Sequence, residues 1–233
     1  MMIHHGTVLL QAGDPFPDPS NGPKDEPVAI GLELSPQLML AGYRKGLFAW
    51  SAHPATWWSP DPRAIFEMDG FHVSKSLRKK IRRRPFRVTM DEAFMDVVEG
   101  CAQPRASGQR TWVTHEFRRA FRELHAMGYA HSVESWQVNA LVGGVLGVAI
   151  NGFFSAETMF SRATDASKIA LYYLLETLRA SGFALFDIQE LSPHTASLGA
   201  IEISRAEYLA RLERALQVQV QPLGKREIAA ANI

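Results

Sequence analysis

The chain of 233 residues has one cysteine, Cys101. No disulfide can form within it, which fits a reducing, cytoplasmic setting. It lacks any run of about 20 apolar residues, the length that a membrane-spanning helix requires. It lacks charge imbalance too: 25 Lys and Arg against 24 Asp and Glu give a net charge of +1, which argues against a surface that binds polyanions everywhere. His4 and His5 could bind adventitious metal, and no other Cys or His spacing suggests a metal site. Residues 1–13 lack a basic region followed by an apolar stretch and a cleavage site, so no signal peptide is expected. Acids are missing from one stretch in particular. Between Phe71 and Met90 stand eight Lys or Arg residues and no Asp or Glu, a local patch able to meet phosphates while the rest of the surface stays balanced.

What is present is ordinary for a globular protein: 46% hydrophobic and 21% charged residues, enough to bury a sizeable core. Residues 11–27 are rich in Pro, Gly and Asp and read as an irregular arm. Ser35 caps a helix that Pro36 opens and Gly46 ends. Trp50 to Arg63 reads as a loop or short strands. Ser74 caps a short basic helix with Leu77 and Ile81 on one side and Pro85 as its stop. Further helices are expected over 91–101, 114–127 and 166–180, and strands over 86–89, 130–138, 141–150, 152–155, 183–188 and 200–203. Ser204 with Glu207 forms a capping box for a last helix to about Gln217. The tail from Val218 is expected to be loose. A small domain over 1–70 and a larger one over 71–233, mixed α/β with a largely antiparallel sheet, account for this pattern.

Polar groups inside apolar stretches are the chemical clue. F-F-S-A-E-T-M-F-S-R (Phe153 to Arg162) carries Glu157, and F-D-I-Q-E-L-S-P-H-T-A-S-L-G (Phe186 to Gly199) carries Asp187 and Gln189. Burying such groups without partners costs a few kcal/mol. On an extended strand Asp187 and Gln189 share a face and could hold a primary amine. The plainer alternatives are that Asp187 caps a turn, Gln189 satisfies loop backbone and Glu157 points to water. Gly143, Gly144 and Gly147 raise an acyl-CoA-dependent N-acyltransferase as a competitor, although the Gly-rich loop expected before a helix is absent. A tRNA-binding protein without catalysis is the other.

With Y-R-K-G-L-F-A-W-S (Tyr43 to Ser51), W-W-S-P-D-P-R (Trp57 to Arg63), R-V-T-M-D-E-A-F (Arg87 to Phe94), E-G-C-A (Glu99 to Ala102) and T-W-V-T (Thr111 to Thr114), the chain resembles the leucyl/phenylalanyl-tRNA–protein transferases over roughly residues 28 to 210. The resemblance implies a catalytic domain related to the N-acetyltransferase fold. It implies transfer of Leu or Phe, with Met a further candidate, from aminoacyl-tRNA to the N-terminal Lys or Arg of a protein, which marks that protein for degradation. An aminoacyl ester is already activated, so no cofactor is required. The resemblance assigns Asp187, Gln189 and Glu157 to catalysis, with Gln189 as proton acceptor supported by Asp187; because a neutral amide is a very weak base, Gln189 is expected instead to orient the amine while Asp187 supplies charge. Ser155 and Thr158 assist. Val145, Phe154, Leu171, Leu174 and Ile188 would line an apolar pocket for the donor side chain. Trp50 and Trp112 would stack on the terminal adenosine, and Lys75, Arg78, Lys79, Lys80, Arg82, Arg83 and Arg84 would contact tRNA phosphates. Glu157, Glu134 and Asp187 are the acids available for a basic acceptor side chain. Ala49 and Gly31-Leu32-Glu33 depart from the family's F-P-W and G-G-D, and Val145 stands where some members carry Met. The chain is expected to act as a monomer.

Overall fold

The computed structural model describes residues 2–4, 6–104 and 111–228. Two sheets organise it. The smaller is built from β1 (Met2–His4), β2 (Thr7–Leu9), β3 (Ala29–Ile30), β4 (Phe48–Ala52) and β5 (Ala55–Trp58), in the order β1-β2-β3-β5-β4. Helix α1 (Pro36–Arg44) packs beside it. The Ser35 hydroxyl accepts the Leu38 N–H at 3.3 Å and Pro36 opens the helix, as the sequence suggests.

The larger sheet takes its strands from the rest of the chain. In chain order these elements are β6 (Arg63–Phe66), α2 (Lys75–Arg83), β7 (Arg87–Met90), α3 (Phe94–Ala102), α4 (His115–Ala126), β8 (Ala130–Gln137), β9 (Ala140–Ile150), β10 (Phe153–Ser161), α5 (Ala166–Ser181), β11 (Leu185–Gln189), α6 (Pro193–Ser197), β12 (Ile201–Ile203), α7 (Arg205–Ala215) and β13 (Arg226–Glu227). The spatial order is β12-β6-β11-β10-β9-β8-β7-β13. Every pairing is antiparallel except β10 with β11, which the helix α5 joins by a crossover. This is the mixed, largely antiparallel α/β architecture expected. β6, which a boundary at residue 70 assigns to the first domain, belongs to the second sheet. The tail is likewise not all loose: β13 pairs with β7 at Arg226↔Met90.

Both faces of the larger sheet are covered. On one lie Phe94 and Val97 of α3, Phe117 and Phe121 of α4, and the apolar side of the smaller sheet with Trp57 and Tyr43, meeting Phe153 and Leu185. On the other lie α2 and α5, meeting Val145, Phe154 and Phe186. Alternate residues of β10 and β11 therefore enter opposite cores. That dictates apolar residues at consecutive positions and hides the period-two signal of a half-exposed strand. The glycines of β9 follow from the same crowding. A Cβ on Gly147 would lie 2.3 Å from the Phe154 ring, and one on Gly143 would lie 2.6 Å from Ala166. They permit close packing and do not form a phosphate loop.

Several local expectations change. The helix expected from Asp91 begins at Phe94, because Asp91 takes a left-handed φ of 55° and its side chain binds the Ser132 N–H and His131 instead. Half of the expected capping box forms at α7. Ser204 accepts the Glu207 N–H, but the Glu207 carboxylate turns to Arg211 at 2.6 Å.

Candidate active site

A cleft of about 1180 Å3 runs between the β4 strand of the smaller sheet and the ends of β10 and β11; Trp50, Trp112, Phe160, Arg162, Gln189 and His194 are among its walls. A second cavity of about 200 Å3 lies behind it, lined by Phe66, Val145, Glu157, Met159, Leu171 and Ile188. Trp112, Thr158 and Met159 line both, so the smaller space opens into the larger.

Two strand irregularities create this mouth. The pairing of β10 with β9 shifts register between Ala156 and Thr158, and that of β11 with β6 shifts between Asp187 and Gln189. The first places Glu157 in a bulge, which re-aims a side chain. The second ends the extended geometry, since Gln189 has φ 68°. Asp187 and Gln189 consequently do not present their side chains side by side.

Glu157 does not point to water. It is buried, and the Ser155 hydroxyl at 2.8 Å and the Gln189 Nε2 at 3.0 Å both donate to its Oε1. Gln189 Nε2 also donates to Ser155 Oγ at 3.3 Å. Burial pushes the Glu157 carboxyl up to about 7, against the pull of Ser155, Tyr43 and Gln189. The Tyr43 hydroxyl is buried beside it but has no hydrogen bond of good geometry. The amide nitrogen of Gln189 is spent inward, leaving its oxygen as the group to offer to the cleft.

Asp187 is sealed behind this layer at 0% exposure. Arg63, at 1% exposure, grips it in bidentate fashion, Nε to Oδ1 at 2.9 Å and Nη2 to Oδ2 at 2.6 Å. The Tyr208 hydroxyl donates to Oδ2 at 3.0 Å, and the Gln189 backbone N–H donates to Oδ1 at 2.9 Å. Asp187 lines neither cavity: its charge is matched by Arg63, and its Oδ1 caps the Gln189 turn, so it does not itself face an incoming amine. Glu134 does not face one either. It is buried in β8, hydrogen-bonded to Ser132 and Thr89, and lines neither cavity. Glu190, which sequence reasoning passed over, lines the cleft beside Gln189.

Of the apolar candidates, Val145, Leu171 and Ile188 line the inner pocket. Phe154 and Leu174 do not. Phe154 packs against Phe183 and Phe186, and Leu174 lies in the core of α5. Ser155 is fully buried and serves Glu157. Met159 and Phe66 take the places that sequence reasoning missed. The motif around Glu157 does contain Met159, but only the bulge turns it inward.

Trp50 is 43% exposed, tilted against Phe48 and Trp58 on the cleft wall. Trp112 stands edge-on to Phe117 with centroids 4.9 Å apart. On α2 and its C-cap Arg84, Lys75, Arg78, Lys79, Arg82, Arg83 and Arg84 are exposed, while Leu77 and Ile81 are buried. The Lys80 ammonium binds Asp165 at 3.0 Å and the Thr164 carbonyl at 2.6 Å. That bond ties the basic helix to the segment between Arg162 and Ser167, both on the cleft wall. Asp165 also precedes α5 and meets Lys168 at 3.2 Å. An acid occupies the helix start where an acyl-CoA enzyme would seat an anion. Among the described residues no group of three or more His, Cys, Asp or Glu could hold a metal ion.

The fold and site define a mixed α/β protein with an apolar pocket behind an aromatic cleft. A family model described as leucyl/phenylalanyl-tRNA protein transferase matches residues 65–213, and the model of that family's N-terminal domain matches residues 33–61. Proteins named leucyl/phenylalanyl-tRNA–protein transferase are similar along most of their length. The one from Klebsiella pneumoniae (strain 342) is 47% identical over 199 residues, covering 83% of this chain and 84% of its own. That of Saccharophagus degradans is 43% identical over 217 residues, covering 92% and 87%. Among solved structures, L-PGS from Bacillus licheniformis aligns with 71% of this chain and 54% of its own at 13% identity and a TM-score of 0.38. The chain belongs to the leucyl/phenylalanyl-tRNA–protein transferase family.

Proposed function

We propose that the protein transfers Leu or Phe from aminoacyl-tRNA to the N-terminal Lys or Arg of acceptor proteins. The observation that carries this reading is the apolar pocket with Glu157 in its wall, opening beside Gln189 into a cleft walled by Trp50 and Trp112. The donor side chain enters the pocket between Val145, Met159 and Leu171. One methylene is worth about 1–3 kcal/mol in such a space, so Leu and Phe are both admitted. Trp50 and Trp112 stack on the terminal adenosine, each worth about 1–3 kcal/mol. The exposed cations of α2 meet backbone phosphates and add affinity without sequence choice.

The chemistry needs an unprotonated amine. An α-amino group has a pKa of about 8, so much of it is protonated at neutral pH. The Gln189 amide is too weak a base to remove that proton, but its oxygen can orient the amine. Glu157, raised to about 7, is matched to the task of accepting it. The amine nitrogen attacks the ester carbonyl carbon, the carbon–oxygen bond to the ribose breaks, and the released ribose oxygen takes a proton. Positioning supplies much of the rate. Glu190, in the outer cleft beside Gln189, replaces Glu134 and Asp187 as the partner for the basic acceptor side chain.

The substrate places the reaction in the cytoplasm, where marked proteins would go on to degradation. Large exposed apolar side chains among the described residues are scattered singly (Leu9, Trp50, Met127, Val138, Ile201), which supports a monomer. The test is transfer of labelled Leu and Phe from charged tRNA to a peptide beginning with Arg, beside the same peptide with an acetylated N-terminus. Transfer to the free amine alone is expected. Binding of charged tRNA without transfer would replace this reading with that of a carrier.

A further inference from the structure

Arg63 has no part in the reading above, yet more converges on it than on any other buried cation. Its Nε and Nη2 hold Asp187, its Nη2 also donates to the Tyr208 hydroxyl at 3.3 Å, and its Nη1 donates to the Gly46 carbonyl at 3.3 Å. Its guanidinium lies between the rings of Phe48, 4.8 Å away, and Tyr208, 4.4 Å away. Phe48 and Gly46 belong to the segment that carries Trp50. Asp187 carries the Gln189 turn. One side chain thus spans from the aromatic cleft wall to the amide that faces the cleft.

The turn itself needs holding. A left-handed φ of 68° is unfavourable for a residue with a Cβ, so Gln189 keeps it only where its surroundings impose it. Three bonds impose it here. The Gln189 N–H is fixed by Asp187 Oδ1, and its Nε2 is fixed by Glu157 and Ser155. Asp187 can serve as that anchor because Arg63 fixes both of its oxygens. A planar fork suits this task, and an ammonium would not reproduce it.

We infer that Arg63 is a positioning residue for the transfer reaction: through Asp187 it locks the Gln189 turn, and Asp187 works as a backbone anchor and not as a source of charge for the reacting amine. This rests on the proposed transfer activity. It predicts that the carboxylate's charge matters only while the guanidinium is there to be matched. Removing one partner strands a buried charge, whereas replacing both with neutral groups of similar shape strands none.

The experiment compares wild type, Arg63→Gln, Asp187→Asn and the double variant in steady-state transfer. Backbone amide exchange at Gln189 is read in parallel, with Phe154 as an internal reference in the sheet. For Arg63→Gln we expect kcat to fall at least 100-fold, KM for charged tRNA to stay within threefold, and Gln189 to lose protection that Phe154 keeps. The double variant, with amide facing amide, should recover kcat to within tenfold of wild type and restore protection. If Arg63→Gln does not fold, the double variant against Asp187→Asn still decides. A double variant that folds, protects Gln189 and is as inactive as Asp187→Asn would show that the carboxylate acts in the chemistry, and would overturn the inference. So would an Arg63→Gln variant with wild-type kcat. A wild-type protein without transfer would sink the transferase reading instead, and Gln189 exchange would then decide this one alone.

Discussion

Glu157 shows how much a single residue's surroundings can set. Its folded pKa of about 7 lies above the unfolded value of 4.5. The stability tied to its protonated form is complete below pH 4.5 and is lost as pH rises through about 7. Relative to Glu157→Gln, which does not titrate, the wild type should lose up to about 3 kcal/mol between pH 4.5 and pH 8, readable as a shift between their urea midpoints. Transfer should move the opposite way. The wild-type rate should climb as Glu157 ionises near pH 7, and Glu157→Gln should lack that limb while running about 100-fold slower or more. An unchanged inflection in the variant would take the proton-accepting role from Glu157. The sequence made this residue visible, because an acid among Phe153, Phe154, Met159 and Phe160 is costly without a partner. It could not reveal which partners. Ser155 two positions away was legible as a neighbour, but Tyr43 and Gln189 reach Glu157 only through tertiary packing.

At the scale of elements, the helices were the most legible. Ser35, Ser74 and Ser204 cap where their spacing indicates, and Gly182 ends α5 with a φ of 89°. The strands that build the site were the least legible. β6 contains a charged residue that is wholly buried, and β10 feeds two cores at once, so neither displays alternation. In sequence Phe154 and Leu174 look no different from the pocket residues, because apolar residues near a site motif are alike until the bulge at Glu157 decides which of them face it. The basic helix α2 separates into parts that the sequence shows as one. Substituting Arg78, Lys79 and Arg83 together with Gln should weaken charged-tRNA binding and flatten its dependence on log salt by about 2 units, with kcat unchanged. Filter binding across a salt series measures this. A salt slope equal to that of wild type would remove the helix from the RNA interface. Lys80 is left out because its bonds to Asp165 and Thr164 make its loss a structural event.

The whole molecule is held together by buried arginines that cross between regions distant in sequence. Arg63 joins the smaller sheet to β11. Arg205, at the start of α7, donates to the carbonyls of Pro19, Gly22 and Pro23, and so pins the Pro-rich arm to the second sheet's side of the protein. Charged hydrogen bonds of this kind contribute about 1.5–3 kcal/mol each, and removing the donor leaves three carbonyls to find water. Arg205→Ala should lower the folding free energy by about 2 kcal/mol and open residues 11–27 to limited proteolysis, with transfer by the intact protein retained. Undiminished protease resistance of the arm would show that its other contacts suffice. Neither clamp could be foreseen from one sequence, since Asp187 and Tyr208 stand more than a hundred positions from Arg63, and the carbonyls of the arm more than a hundred from Arg205. The family's motifs mark Arg63 without saying what it holds.

The parallel pairing of β10 with β11 spans three residue pairs, Phe153↔Leu185 to Ser155↔Asp187, and stops where the two bulges begin. Beyond it the strands diverge, like a zipper left open at the mouth of the pocket. Beyond Ser155 and Asp187 the two strands share no further paired residues, and no side-chain replacement alters the peptide groups there. A map of this site drawn by alanine substitution would therefore be blank wherever the main chain takes hold of a substrate. Replacing individual amides by esters is the means of filling it in.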